Sequence, residues 1–403
     1  MKRKIFITRR LPLYIGTKCN IKCKFCYYYS ETDDDNYSYD NIIAELERYK
    51  EEGIDSIDIT GGEPTIHKDI IKIVKKASDM GFKEITMITN GIAVKTESFL
   101  DKLIEAGVNT WVLSIHGHNA EIHDGLTGRK GTFNDMLKTI DNFNKRNLTY
   151  SVNFVVNRQN FGYLREFAKF VNQTCIKTAV TFLVMNPMGD GKINFDSFSV
   201  KYSELGSLLY SAIEELKRKG NKVTWKFMPL CASKENIDIT DSILTFFFTP
   251  YDWNYSIQYK LKYGDFDHFF ALIKNFSRFS LIQLAKIPLV VLKHMALLNA
   301  NFGYMFKKLD SCKQCMYFYV CDGISKNYIQ LFGQEEFRPI EGRQFINPME
   351  LTNQQLKLSF FGIAQNFIFF AYSKIAYLLI SIFRRKLIKK RYALYQASLG
   401  LSE

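Results

Sequence analysis

A chain of 403 residues with 47% hydrophobic and 24% charged residues has a globular composition and room for one to three domains, which excludes a disordered chain. The formal charge of +13 allows a polyanionic partner. However, "RRKLIKKR" (384–391) carries six of the positive charges, and no nucleic-acid-binding module is present, so nucleic acid is disfavoured.

The opening "MKRKIFITRRLPLYIG" is basic, and Arg9 and Arg10 interrupt it before any apolar run of signal-peptide length, so secretion is not expected. The eight cysteines fall in clusters with metal-ligand spacing, which suits a reducing, cytoplasmic setting. From 11 to about 230, strand-like runs (11–16, 54–60, 83–89, 108–115, 148–156, 177–185) alternate with helical periods (38–52, 67–80, 96–106, 133–147, 160–172, then 202–218). Such alternation builds parallel β-α units. Six units are too few for a closed eightfold barrel, so the expected fold class is α/β, a partial (β/α)6 TIM-like barrel. Chemistry in that architecture gathers where strands end. At or just past strand ends stand "TKCNIKCKFC" (17–26), "GGEP" (61–64), "TNG" (89–91), "SIHGH" (114–118) and Asn153.

Cys19, Cys23 and Cys26 follow a C-x3-C-x2-C spacing with no fourth cysteine in the loop. A structural zinc site wants four ligands, so a distant histidine such as His67 would have to complete one. A [4Fe–4S] cubane held by three thiolates leaves one iron open for something else. Downstream, Cys312, Cys315 and Cys321 form C-x2-C-x5-C, and Cys231 in "MPLC" brings that set to four, enough for a fully ligated second cluster or for zinc. Cys175 is left over and reads as an inert core thiol.

These motifs together resemble the radical S-adenosylmethionine (SAM) superfamily over about residues 11–230: the cysteine loop with Phe25 before its last member, then "GGEP", "TNG" and "SIHGHNAEIHDGLTG". The resemblance implies that the open iron chelates SAM. Reductive cleavage then yields a 5′-deoxyadenosyl radical that abstracts hydrogen from substrate. It also implies an electron donor of the flavodoxin or ferredoxin type. Gly61, Gly62, Glu63 and Pro64 match the segment that meets the methionine amino group. Asn90 and Ser114 match contacts to the ribose and carboxylate, and Asn153 a further polar contact. On the same basis "SIHGHNAEIHDGLTG" is expected as a loop closing over SAM and substrate. The second cysteine set, with the tail "YIQLFGQEEFRPI", resembles the shortened form of the SPASM/twitch auxiliary-cluster domain.

The domains expected are a core barrel (1–230), an auxiliary-cluster domain (231–345) with an aromatic, basic insert at about 232–311, and a C-terminal tail (346–403). Residues 358–383 hold one charge, Lys374, and Ser359, Asn366, Ser373 and Ser381 recur on one narrow stripe. With the basic run that follows, this suggests a helix lying on an anionic membrane surface rather than spanning it. A buried or dimerising helix is the alternative. The substrate expected from the insert and tail is amphiphilic, lipid-linked or anionic, with a small molecule or peptide also open. The competing functions are a non-catalytic metal-binding or membrane-adaptor protein on the same barrel, and a nucleic-acid modifier.

Overall fold

A computed structural model describes residues 9–28, 36–176, 178–233, 240–241, 257, 266–303, 305–351 and 357–398. Most of the aromatic stretch 232–265 lies outside the described residues. The chain divides into two compact units, Met1–Thr249 with Met305–Asn353, and Pro250–Tyr304 with Gln354–Glu403.

The first unit is built on one sheet of eight parallel strands in chain order. They are β1 (Arg10–Tyr14), β2 (Ser56–Thr60), β3 (Glu84–Thr89), β4 (Thr110–Ser114), β5 (Tyr150–Val156), β6 (Ala179–Val184), β7 (Lys222–Lys226) and β8 (Thr240–Asp241). All six expected strands are present, and β7 and β8 extend the sheet beyond them. Among the described residues β1 and β8 pair on one side only, so the curled sheet is an open, partial barrel.

Parallel neighbours need crossovers, and helices supply them. These are α1 (Tyr39–Glu51), α2 (Ile70–Asp79), α3 (Glu97–Ala106), α4 (Ala120–Thr127), α5 (Thr132–Lys145) and α6 (Leu164–Thr174), then the short α7 (Asp190–Ile193) and α8 (Phe195–Phe198), and finally α9 (Tyr202–Arg218). Each long helix buries an i, i+3, i+4 stripe, as α6 does with Leu164, Phe167, Ala168 and Val171. The stretch expected as a single closing loop is partly helical. Asn119 caps α4 by accepting from the Ile122 N–H at 3.0 Å, and Gly128 ends it at φ 72°.

Period-2 alternation sorts the strand residues into two faces. Tyr150, Val152, Phe154 and Val156 of β5 are buried, while Asn153 and Val155 face the barrel interior. On β2 and β3 the same parity carries Asp58 and Thr60, and Glu84, Thr86 and Ile88. The start of the interior is filled by charge. Arg10 bonds Asp58 at 2.5 Å and Thr86 Oγ1 at 3.1 Å, and pairs with Glu84.

After β7 comes the short α10 (Leu230–Ser233). The second unit follows with α11 (Phe266–Phe276), α12 (Leu281–Lys286) and α13 (Leu289–Phe302). The chain returns to the first unit for an antiparallel pair, β9 (Phe306–Lys307) with β10 (Ile324–Ser325), and α14 (Lys326–Phe332). It ends in the second unit with α15 (Phe360–Ser398), which packs on α11, α12 and α13.

Candidate active site and a second cysteine cluster

The loop after β1 is tied down by the loops after four other strands. From the β2 side, the N–H groups of Gly62 and Glu63 donate to the carbonyls of Gly16 (3.0 Å) and Lys18 (2.8 Å). Beyond β4, the carbonyls of Leu126 and Thr127 accept from the N–H groups of Lys24 and Lys22. After β6, Asp190 and Gly191 donate to the carbonyls of Tyr28 and Cys26, both at 3.0 Å. Past β3, Asn90 Nδ2 donates to Asn20 Oδ1 at 2.7 Å. Cys19, Cys23 and Cys26 are therefore held on a fixed backbone.

The glycines of "GGEP" also pack against the cysteine loop. A Cβ on Gly61 would stand 2.2 Å from the Gly16 carbonyl oxygen, and one on Gly62 would stand 2.0 Å from that of Lys18. They permit close approach of the cysteine loop's own backbone. Glu63 is buried and saturated. Its Oε1 accepts from the Thr65 N–H (3.1 Å), Thr65 Oγ1 (2.5 Å) and Thr89 Oγ1 (2.7 Å), and its Oε2 accepts from the Asn90 N–H (2.7 Å). Burial raises the Glu63 carboxyl above its ordinary range, while those donors pull the other way. Pro64 begins a single 3-10 turn, Pro64–Ile66.

Cys19, Cys23, Cys26, Gly61, Gly62, Glu63, Asn90, Ser114 and Asn153 all line one cavity of about 270 Å³. Ser114 and Asn153 are register partners across β4 and β5. Burial pushes the Cys19 thiol up to about 11 and raises Cys23 and Cys26 as well, with neighbouring thiols and Asp190 adding repulsion. Three such thiols ionise only beside a cation. Among the described residues no three His, Cys, Asp or Glu side chains converge as they would on one ion. A cubane does not require that, because each thiolate serves a different iron. His67 does not line the cavity. Its Nε2 meets the Tyr37 carbonyl at 2.9 Å, and its Nδ1 accepts from the Asp69 N–H.

His116 and His123 line the cavity as well. Both are buried, and their rings stack with centroids 6.1 Å apart. His116 Nδ1 accepts from the Val155 N–H and His123 Nδ1 from the His116 N–H, both at 3.2 Å. Burial lowers His116 well below its usual range and His123 to about 4, so both rings are neutral with the proton on Nε2. Phe25 meets the His116 ring edge-on at 4.6 Å and packs with Leu126, Met185 and Phe198, which shields Cys23. Phe227, just past β7, also lines the cavity, at φ 64°. Its position at a strand end was its only signal in the sequence.

Cys231, Cys312, Cys315 and Cys321 share a second pocket with Lys308. Burial and the three other thiols push Cys231 up to about 12. Backbone N–H groups reach sulfur at both sites, Tyr28 to Cys26 and Gly323 to Cys321, each at 3.4 Å. The tail "YIQLFGQEEFRPI" is anchored to the barrel at the first turn of α9. Tyr328 stacks on Tyr202 at 4.2 Å and its hydroxyl accepts from the Tyr202 N–H, while Glu336 accepts from the Ser203 N–H at 2.9 Å. A carboxylate at a helix N-terminus is favourably placed. Cys175 is buried at the end of α6, away from both sites.

Residues 13–171 match the family described as the radical SAM superfamily. A probable GTP 3′,8-cyclase of Saccharolobus islandicus is 32% identical over 182 residues, covering 44% of this chain and 57% of that protein. One from Sulfolobus acidocaldarius is 32% identical over 187 residues, covering 46% and 58%. The chain thus spans a little over half the length of the curated relatives it matches. Streptococcus suis SuiB, solved with its precursor peptide SuiA, overlaps 58% of this chain and 52% of its own at 21% identity and a TM-score of 0.49. The matched residues 13–171 include Cys19, Cys23, Cys26, Glu63, Asn90, Ser114 and Asn153.

Proposed function

We propose that the chain is an enzyme in which Cys19, Cys23 and Cys26 hold a [4Fe–4S] cluster whose open iron takes SAM. When bound, that pair supplies a 5′-deoxyadenosyl radical, methionine being released after one electron arrives from a flavodoxin- or ferredoxin-type donor. One observation carries this reading: the three thiols, Glu63, Asn90, Ser114 and Asn153 line a single cavity at the strand ends. In this reading Glu63 is a positioning residue, since its carboxylate is already bonded to Thr65, Thr89 and Asn90. Asn90, Ser114 and Asn153 would supply polar contacts to SAM, and Phe25 would keep water from the cysteines.

The substrate is a small molecule or peptide, and an anionic or amphiphilic small molecule is favoured. Two neutral imidazoles with Nε2–H groups border the cavity, and the curated relatives are named for a reaction on GTP. Cys231, Cys312, Cys315 and Cys321 would hold an auxiliary [4Fe–4S] cluster that exchanges electrons with the substrate radical. The test is anaerobic reconstitution of the full chain and of Cys19→Ala/Cys23→Ala/Cys26→Ala, followed by SAM and dithionite. The wild type should form 5′-deoxyadenosine and the variant none. Equal yields would overturn the reading.

A further inference from the structure

Helix α15 is amphipathic in the opposite sense to a helix on a water-facing surface. Its polar residues Asn366 and Ser373, two turns apart, are completely buried, whereas Ile368, Ile375 and Leu378 are 70%, 60% and 61% exposed. The orientation is locked. Asn366 Nδ2 donates to the carbonyls of Leu284 (2.7 Å) and Ile287 (2.8 Å) at the end of α12. On the same side, Phe369 packs edge-on against Phe276 of α11 at 4.6 Å. Turning the helix would strand those buried carbonyls.

The outward face repeats every three or four residues through Ile368, Tyr372, Ile375, Leu379 and Ile382. Lys374 is its one charge, and its ammonium lies over the Phe370 ring, 4.9 Å from the centroid. Phe360–Ile382 is the one stretch among the described residues long and apolar enough to cross a membrane. A bare span, however, would be lipid-facing all round, and here one side is occupied by α11, α12 and α13. The six positive charges of 384–391 follow at once in the sequence.

We propose that the outward face of α15 lies in the plane of an anionic lipid surface, its apolar side chains entering the acyl boundary and the basic run meeting the headgroups. A second copy of the chain would account for the apolar face but not for the six basic residues that follow it in the sequence. Anionic lipid satisfies both halves of the segment.

The test is vesicle flotation of the full chain with pure phosphatidylcholine and with phosphatidylglycerol-containing vesicles, at low and high salt. The wild type should float with the anionic vesicles, at least about tenfold more than with the neutral ones, and lose most of that binding in high salt. Ile368→Ser/Ile375→Ser/Leu378→Ser should cut flotation by about tenfold or more. Because those side chains contact little protein, the variant should keep the wild-type thermal transition. Lys386→Glu/Lys389→Glu/Lys390→Glu should abolish the preference for anionic lipid without touching the apolar face. Three results would overturn the proposal: no flotation with either vesicle, resistance to alkaline extraction (a true span), or a wild-type dimer in solution that the serine variant converts to monomer (a second copy on this face).

Discussion

Asn90 donates from Nδ2 to Asn20 Oδ1 at 2.7 Å, joining the loop after β3 to the middle of the cysteine loop, 70 residues earlier in the chain. Its own Oδ1 accepts from the Ile92 N–H, and its N–H is held by Glu63. The residue thus joins three strand ends, its side chain bridging the loops after β3 and β1 and its backbone N–H reaching Glu63. Asn90→Ala removes two buried bonds and should cost about 1–3 kcal/mol, read as a lower urea midpoint. Deoxyadenosine yield per iron should fall with it. An unchanged midpoint and yield would mean the strut is dispensable.

Glu63→Gln tests the latch on the other side. The carboxylate accepts four bonds on its two oxygens, and an amide keeps one acceptor oxygen but puts an NH2 donor where the other must accept. Facing the Asn90 N–H or the Thr65 N–H with an NH2 group should destabilise by about 2 kcal/mol or more. SAM-dependent turnover should drop more than stability alone explains, because the displaced residue Asn90 lines the cavity.

His123 gives a pH dependence with a definite sign. Its native value of about 4 lies below the ordinary 6.5. Between those values the unfolded chain binds a proton that the folded ring refuses, so stability is full above about pH 6.5 and is lost as pH falls toward 4. The gap corresponds to about 3 kcal/mol for a buried ring. His123→Gln should flatten the fall in urea midpoint between pH 7 and pH 5, and a curve as steep as wild type would contradict this assignment.

The second cysteine set makes a separable prediction. Cys231→Ala should lower iron by about four per chain while leaving the SAM-responsive cluster loaded. Retained iron, or zinc in its place, would remove the auxiliary cluster from the account and leave the barrel site intact.

Arg10 tests the floor of the barrel. Arg10→Ala would leave the partly buried Asp58 without its guanidinium, which should cost about 1–3 kcal/mol. The thermal transition should fall, while deoxyadenosine yield per folded, iron-loaded chain should hold.

Much of this was legible in the sequence because period and punctuation coincide there. The six strands and the long helices follow from alternating and helical spacing, and the three-cysteine loop names its own chemistry. Other features depend on contacts far apart in the chain. The close packing of the "GGEP" glycines on the Gly16 and Lys18 carbonyls is a register only the folded sheet reveals. The short strand "KVTWK" adds β7 and brings Phe227 to the cavity, but five residues carry a weak alternation signal. On α15 the polar stripe was visible, but not the direction it faces. That direction is set by two carbonyls of α12, 79 and 82 residues upstream.

The most direct measurement is the electron paramagnetic resonance spectrum of anaerobically reconstituted, dithionite-reduced protein, recorded without and with SAM. SAM should shift the signal in the wild type and in Cys231→Ala, and have no effect in Cys19→Ala/Cys23→Ala/Cys26→Ala. A reduced wild-type cluster whose spectrum is indifferent to SAM would contradict the claim that this cavity offers an open iron to SAM.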